Sequence, residues 1–138
     1  MPIEANLLTA QSVLETDAGI SALGIGWQVR PPEPIPWAIF VVFRSTRDLI
    51  ETQHSATVRL EYEGGEAVDE GLSNLLDFDI NFEPEGLTDA GLVSPVVRGF
   101  GANLLPIPLE PGAEFRFRLW VDGETRDHWV APFRTTPP

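Results

Sequence analysis

Apolar and polar side chains alternate almost without a slip in three stretches of the chain: His54–Glu63, Leu76–Glu83 and Glu114–Asp122. A period of two sends successive side chains to opposite faces of an extended strand. Phe78, Ile80 and Phe82 therefore share one face, and Asp77, Asp79, Asn81 and Glu83 point to water. Half-buried strands of this kind build antiparallel sheets with one wet face.

The rest of the chain fits the same scheme. In Ala5–Leu14 the spacing of Leu7, Leu8, Gln11 and Leu14 is near-helical. The turn Asp17-Ala18-Gly19 leads into the extended Ile20–Val29, however, so a strand and a hairpin are the better reading. Arg30–Pro36 is a crossing loop, because proline offers no ladder donor. Trp37–Arg44 is a strand, and Gly64-Gly65 turns His54–Glu63 into Glu66–Val68. An acidic turn region lies around Pro84–Gly86. Leu92–Phe100 and Asn103–Leu109, interrupted by Pro95, Pro106 and Pro108, suit sheet edges. Pro111-Gly112 and Asp122-Gly123 bracket a last hairpin, Ala113–Val121 with Thr125–Arg134. Eight or nine short strands with no long helix give an all-β chain, one β-sandwich over residues 1–138.

Two registers compete for the last hairpin. A two-residue Asp122-Gly123 loop sets Arg118 opposite Asp127 and Arg116 opposite Trp129. A three-residue loop sets Trp129 opposite Phe117 and Trp120 opposite Arg126. One residue of slip flips every side chain to the other face. Only the second keeps Trp129, Ala131 and Phe133 with Phe115, Phe117 and Leu119, so it is preferred.

Composition narrows the function classes. There is no cysteine, so disulfides and thiolate metal sites are excluded. A net charge of −12 repels phosphate backbones and argues against a nucleic-acid partner. The basic residues are all arginine, nine of them, which with abundant Ala, Gly and Pro fits a high-GC genome. The opening MPIEANLLTAQ shows no basic segment followed by an apolar one. The longest apolar run, Trp37–Phe43, is far too short to span a bilayer. A cytoplasmic protein with no membrane partner is expected.

Candidate chemistry is thin. His54 lies on the inward phase with Ala56 and Val58, and His128 on the outward phase beside Asp127. No G-x-S-x-G is present, and Gly71-Leu72-Ser73 lacks its context. Asp77-x-Asp79-x-Asn81 begins like a calcium loop, but its sixth and twelfth positions are Phe82 and Thr88 instead of Gly and Glu. A solvated strand face explains those acids. The cluster Glu61, Glu63, Glu66, Asp69 and Glu70 reads as a wet rim, with an adventitious calcium site as the alternative. Gly24-Ile25-Gly26 lacks the third glycine and the helix of a dinucleotide fingerprint. No carboxylate pair is singled out for glycoside hydrolysis. No catalytic, cofactor or metal residue is assigned, and an enzyme is not expected.

Two departures from the alternation draw attention. Trp37–Phe43 is apolar on both phases: Trp37, Ile39, Val41 and Phe43 on one side, Ala38, Phe40 and Val42 on the other. Such a strand needs a cover, from its own loops or from another subunit. Trp120 shares the outward phase with Arg116 and Arg118, a combination found at protein interfaces and in guanidinium–indole stacking. The candidate interface residues are Trp37, Phe40, Val42, Arg116, Arg118 and Trp120.

Gly24-Ile25-Gly26-Trp27, the proline-rich crossing, the apolar strand and His54-x5-Leu60-Glu61-Tyr62-Glu63-Gly64-Gly65 resemble a family of small bacterial β-sandwich proteins, frequent in actinobacteria, whose function is not known. The closing Leu109-Glu110-Pro111-Gly112, Phe117–Gly123 and Phe133 are also similar to theirs. Endings of this kind close many immunoglobulin-like domains, so the resemblance implies an immunoglobulin-like antiparallel sandwich. It supplies no catalytic residues, and the chain departs from the family at Glu83–Gly99. The expected function is non-enzymatic: protein contacts, as a homo-oligomer or accessory subunit. One rival is a ligand- or carbohydrate-binding module using Trp27, Trp37 or Trp120, which requires coplanar rings on one exposed face. Another is a phage- or virion-type decoration protein.

Overall fold

A computed structural model describes residues 3–16, 19–45, 53–66, 68, 75–81 and 96–137. Among them the alternating stretches become strands. β1 is Ile3–Ala10, β2 Ser12–Thr16, β3 Gly19–Leu23, β4 Val29–Arg30 and β5 Trp37–Ser45. β6 is Gln53–Tyr62, β7 Leu76–Asn81, β8 Val96–Leu104, β9 Glu114–Val121 and β10 Val130–Thr135. They form a three-stranded sheet β1-β5-β8, a five-stranded sheet β4-β10-β9-β6-β7 and a two-stranded hairpin β2-β3. All pairings are antiparallel except the two-residue β4 beside β10. The chain is an all-β sandwich. The hairpin and the short β4 bring the strand number above the expected eight or nine.

The core follows the inward phase of both sheets. Ile3, Ala5 and Leu7 of β1 and Trp37, Ile39, Val41 and Phe43 of β5 pack against Ala56, Val58 and Leu60 of β6. Phe115, Phe117, Leu119 and Val121 of β9 and Ala131 and Phe133 of β10 complete it. Trp37 lies 5.3 Å from Phe117 and edge-on to Phe133 at 6.1 Å, centroid to centroid. Burying such side chains contributes about 2 kcal/mol each relative to exposure.

Four expectations are corrected. Ile20–Val29 is not one strand: β3 stops at Leu23, and Gly24 and Gly26 turn the chain with φ of +64° and +86°. Glu66–Val68 is not described as a strand; Tyr62 N–H bonds Glu66 O to close the turn. Leu92–Phe100 and Asn103–Leu109 are not two strands: among the described residues β8 runs unbroken from Val96 to Leu104 at the edge of its sheet, and residues 105–109 lie outside any strand. The last hairpin uses neither register throughout. Its turn is the two-residue one, with Asp122 and Gly123 both at positive φ (51° and 78°) and Val121 paired with Glu124. Thr125–His128 then leaves the ladder, and Val130, not Asp127, faces Arg118. That odd offset restores the preferred inward face, so Trp129 is fully buried. Phe82, Glu83, Pro84–Gly86, Thr88, Asp69, Glu70 and Gly71-Leu72-Ser73 lie outside the described residues.

Trp37–Phe43 does receive its cover from the chain itself. β2-β3 lies over the outer side of β8 and β5. A Cβ placed on Gly101 would come within 3.1 Å of Val13 and 3.2 Å of Ile20, and one on Gly99 would touch Phe40 and Ile20. The Asn103 side chain both donates to Val13 O and accepts from Val13 N.

Candidate functional site

The exterior of the five-stranded sheet is built from the outward phases of β6, β9 and β10. Cross-strand pairing sets Thr57 beside Trp120, Arg59 beside Arg118 and Glu61 beside Arg116. Next to these, Val130 pairs with Arg118, Pro132 with Arg116 and Arg134 with Glu114. Val29 of β4 extends the row beyond Arg134. Four of the nine arginines (Arg59, Arg116, Arg118 and Arg134) thus share one face of a chain whose net charge is −12.

These side chains are packed rather than loose. Glu61 is 7% exposed and accepts from Arg116 Nε at 2.6 Å and Arg118 Nε at 2.8 Å. Glu61 is therefore not the wet-rim acid expected; its two guanidinium neighbours draw it into the sheet surface. One carboxylate against two guanidinium groups leaves a net positive charge there. Arg118 Nη1 also bonds Thr125 Oγ1 and Arg126 O, which holds the excursion after the last turn. The Arg59 guanidinium lies 4.8 Å over the Trp120 ring. Trp120 is half-buried, and its indole N–H is buried without an acceptor.

A groove of about 610 Å³ runs along β4, β10 and β9, with Val29, Val130 and Pro132 as its apolar part and Arg116 and Arg134 as its cations. Glu63 and Glu114 stand at its rim. The neighbouring Glu114 carboxyl, by hydrogen bond and by charge, pushes the Glu63 carboxyl above its ordinary range. A site of this size with a few convergent polar groups is of the kind that takes ligands or partner segments.

The expected site residues do not come together. Trp37 is 2% exposed, in the core, and unavailable to a partner. Phe40 and Val42 are half-buried on the outer side of the three-stranded sheet, and the hairpin packs on Phe40's neighbours. Arg116, Arg118 and Trp120 lie on the opposite exterior. Arg59, Arg134 and Val130 were not singled out from sequence, and Glu61 was read only as a wet-rim acid. The outward phase of Arg59 and Glu61 was legible in His54–Glu63, but the pairing of β6 with β9 was not.

The histidines have structural partners. His54 is buried, and its Nδ1 meets Asp122 Oδ2, while Asp122 Oδ1 accepts from Ser55 N–H. Burial raises the Asp122 carboxyl, yet the bonds from His54 and Ser55 outweigh it and hold the pKa below the ordinary value. This pair ties the last turn to β6. His128 is exposed, in the loop before β10 instead of in the strand, and meets Glu4. Arg30 is 3% exposed and stacks 4.3 Å over Trp37, with bonds to the carbonyls of Pro31 and Glu33. Desolvation lowers its pKa.

Among the described residues no three His, Cys, Asp or Glu side chains gather as a metal site, and no two tryptophans stack on an exposed face. Nor is any helix among them long and apolar enough to cross a membrane. No protein-family model matches the chain, and a search of curated proteins finds no match. The resemblance drawn from turn and core positions stands on those residues alone.

Proposed function

We propose that this protein is a non-catalytic β-sandwich that works through protein contacts, and that the exterior of β10-β9-β6 is its contact surface. The observation carrying this reading is the concentration of Arg59, Arg116, Arg118 and Arg134 with Trp120 on one face of a strongly anionic chain. Arginine and tryptophan are enriched where proteins bind one another, and scattered surface charge does not produce such a cluster. The apolar strip Val29, Val130 and Pro132 adds desolvable area beside the charges. The carbohydrate-module reading finds little support for its stacking platform, since Trp37 is in the core, Trp27 packs edge-on against Phe133 and Trp120 lies under Arg59. The test is photo-cross-linking in the source cells with a photoreactive residue in place of Val130 or Thr57. A protein adduct at these positions, absent from a control at Leu14 on the far side, is expected; adducts at neither position overturn the proposal.

A further inference from the structure

Several strand edges of this sandwich are blunted. On β10 the proline at 132 withholds a donor, and β4 covers the end of the strand. On β7 the exposed Asp77 and Asp79 set like charges along the strand. On β1 the Glu4 carboxylate accepts the Ala5 N–H. The β2-β3 hairpin is a two-stranded sheet joined to neither of the others. Its β2 edge is closed, because the Asn103 side chain takes both the N–H and the C=O of Val13. Val13 pairs with Ala22, and the two residues of such an antiparallel pair both turn these groups away from their shared ladder. The N–H and C=O of Ala22, and of Ile20 two residues before it, therefore point away from β2. No strand among the described residues pairs with that edge. Gly19-Ile20-Ser21-Ala22-Leu23 holds no charge and no proline, and none of it is buried. β2 lies over β5 and β8, and β3 chiefly over β8, the outer strand of its sheet, so the free edge faces outwards.

We propose that β3 pairs, antiparallel and about a two-fold axis, with β3 of a second copy of this chain. With Ser21 facing Ser21 on the axis, Ile20 of each copy exchanges both backbone hydrogen bonds with Ala22 of the other. The same register sets Leu23 across from Gly19, the residue that leaves it most room. The two hairpins become one continuous sheet, whereas a two-stranded hairpin alone is marginal in water. Leu14 and Leu23, 64% and 69% exposed on the hairpin face opposite Val13 and Ile20, then lie on one face of that sheet. A second copy suits this edge because none of the facing residues is charged, so two chains of net charge −12 meet there without apposing acids. Their overall repulsion is screened beyond about 8 Å at physiological ionic strength. The contact is separate from the β10-β9-β6 exterior. Leu14 stands on β2, about 10 Å from β3 of the other copy and beyond the reach of a photoreactive side chain.

The chain has no cysteine, so a single introduced thiol reports the contact on the full chain. Antiparallel residues facing each other without exchanging hydrogen bonds hold their Cα atoms about 4.5 Å apart, within disulfide range. Ser21→Cys, treated with diamide to take up the two thiol hydrogens, is expected to give a disulfide-linked dimer. Leu14→Cys, three strand spacings or about 14 Å from its copy, is expected to give none. In sedimentation velocity up to high-micromolar concentration, the native chain is expected to form dimers. Ala22→Pro, which removes a donor from the edge, is expected to weaken them about tenfold or more, as two lost backbone hydrogen bonds imply. If Ala22→Pro does not fold, Ser21→Asp, at an exposed position, sets like charges on the axis and serves instead. A native chain that stays monomeric, equal disulfide yields from the two thiols, or variants that dimerise as well as the native chain overturns the proposal. Dimers that survive these variants and cross-link through Val130 overturn only the β3 pairing and leave the β10-β9-β6 contact surface standing.

Discussion

Glu4 ties the first strand to the last loop with one carboxylate oxygen. Its Oε1 accepts from the Trp129 indole N–H at 2.9 Å and meets His128 Nε2. The Trp129 bond first, and the His128 bond second, hold the carboxyl down at about 2 against an ordinary 4.5. A depressed folded pKa stabilises the fold above the unfolded value, and that contribution fades as pH falls from about 4.5 towards 2. The Glu4 side chain is 48% exposed, so solvent screening limits the contribution to about 1 kcal/mol. Glu4→Gln is expected to lower stability by about that amount at neutral pH and by progressively less in acid, read from denaturant melts across pH. Equal losses at pH 7 and pH 2 would rule the linkage out. At Glu61 the stakes are higher, because two guanidinium groups depend on it. Glu61→Gln is expected to cost about 2–3 kcal/mol, since it leaves half-buried arginines without a counter-charge. A chemical melt unchanged from the native protein would show that Glu61 is a surface acid after all. Neither role was legible in the sequence. Alternation gives the phase of Glu61 and Arg116, but their meeting depends on β6 lying beside β9, strands distant in the chain.

Strand existence was readable from period alone, because one buried face imposes it. β6, β7 and β9 coincide with the three cleanest alternations, within the described residues. Boundaries were harder where two local rules compete. The turn Asp122-Gly123 follows its dipeptide rule, but the following loop is set by Arg118 reaching Thr125 and Arg126 and by the burial of Trp129. Pro132 sits within β10, yet costs no ladder bond. Ala113 O takes Thr135 N–H on the β9 side, whereas Arg134 N–H bonds Gln28 O on the other, so Pro132 shares the outer alternation. The cover over β5 was anticipated, though not its source. Glycine at 101 is what lets the β2-β3 hairpin approach β8. Gly101→Val is expected to lift the hairpin, with a loss of about 1–2 kcal/mol and faster amide exchange at residues 12–23 than in the rest of the sandwich. Unchanged exchange in that segment would mean that the hairpin does not depend on the gap.

For the whole molecule, the acidity turned out to be less informative than its exceptions. A chain of net charge −12 has no reason to gather arginines on one face for solubility, because dispersed charge serves that equally well. The gathering is a consequence of register: Arg59, Arg116 and Arg118 fall on the same outward phase of two paired strands, and Arg134 on the next. Composition could not reveal this, as it counts charges without placing them. The two candidate surfaces read from sequence also separated in space. Of the apolar one, Trp37 is in the core and Phe40 and Val42 are half-buried on the outer side of the three-stranded sheet, whereas the arginine–tryptophan one lies on the opposite exterior. The most direct test of that contact surface is photo-cross-linking from Val130 and Thr57 in the source cells, compared with Leu14. A discrete protein adduct is expected from the first two positions and none from the third; an adduct from Leu14 alone, or from no position, would show that this face is not the contact surface.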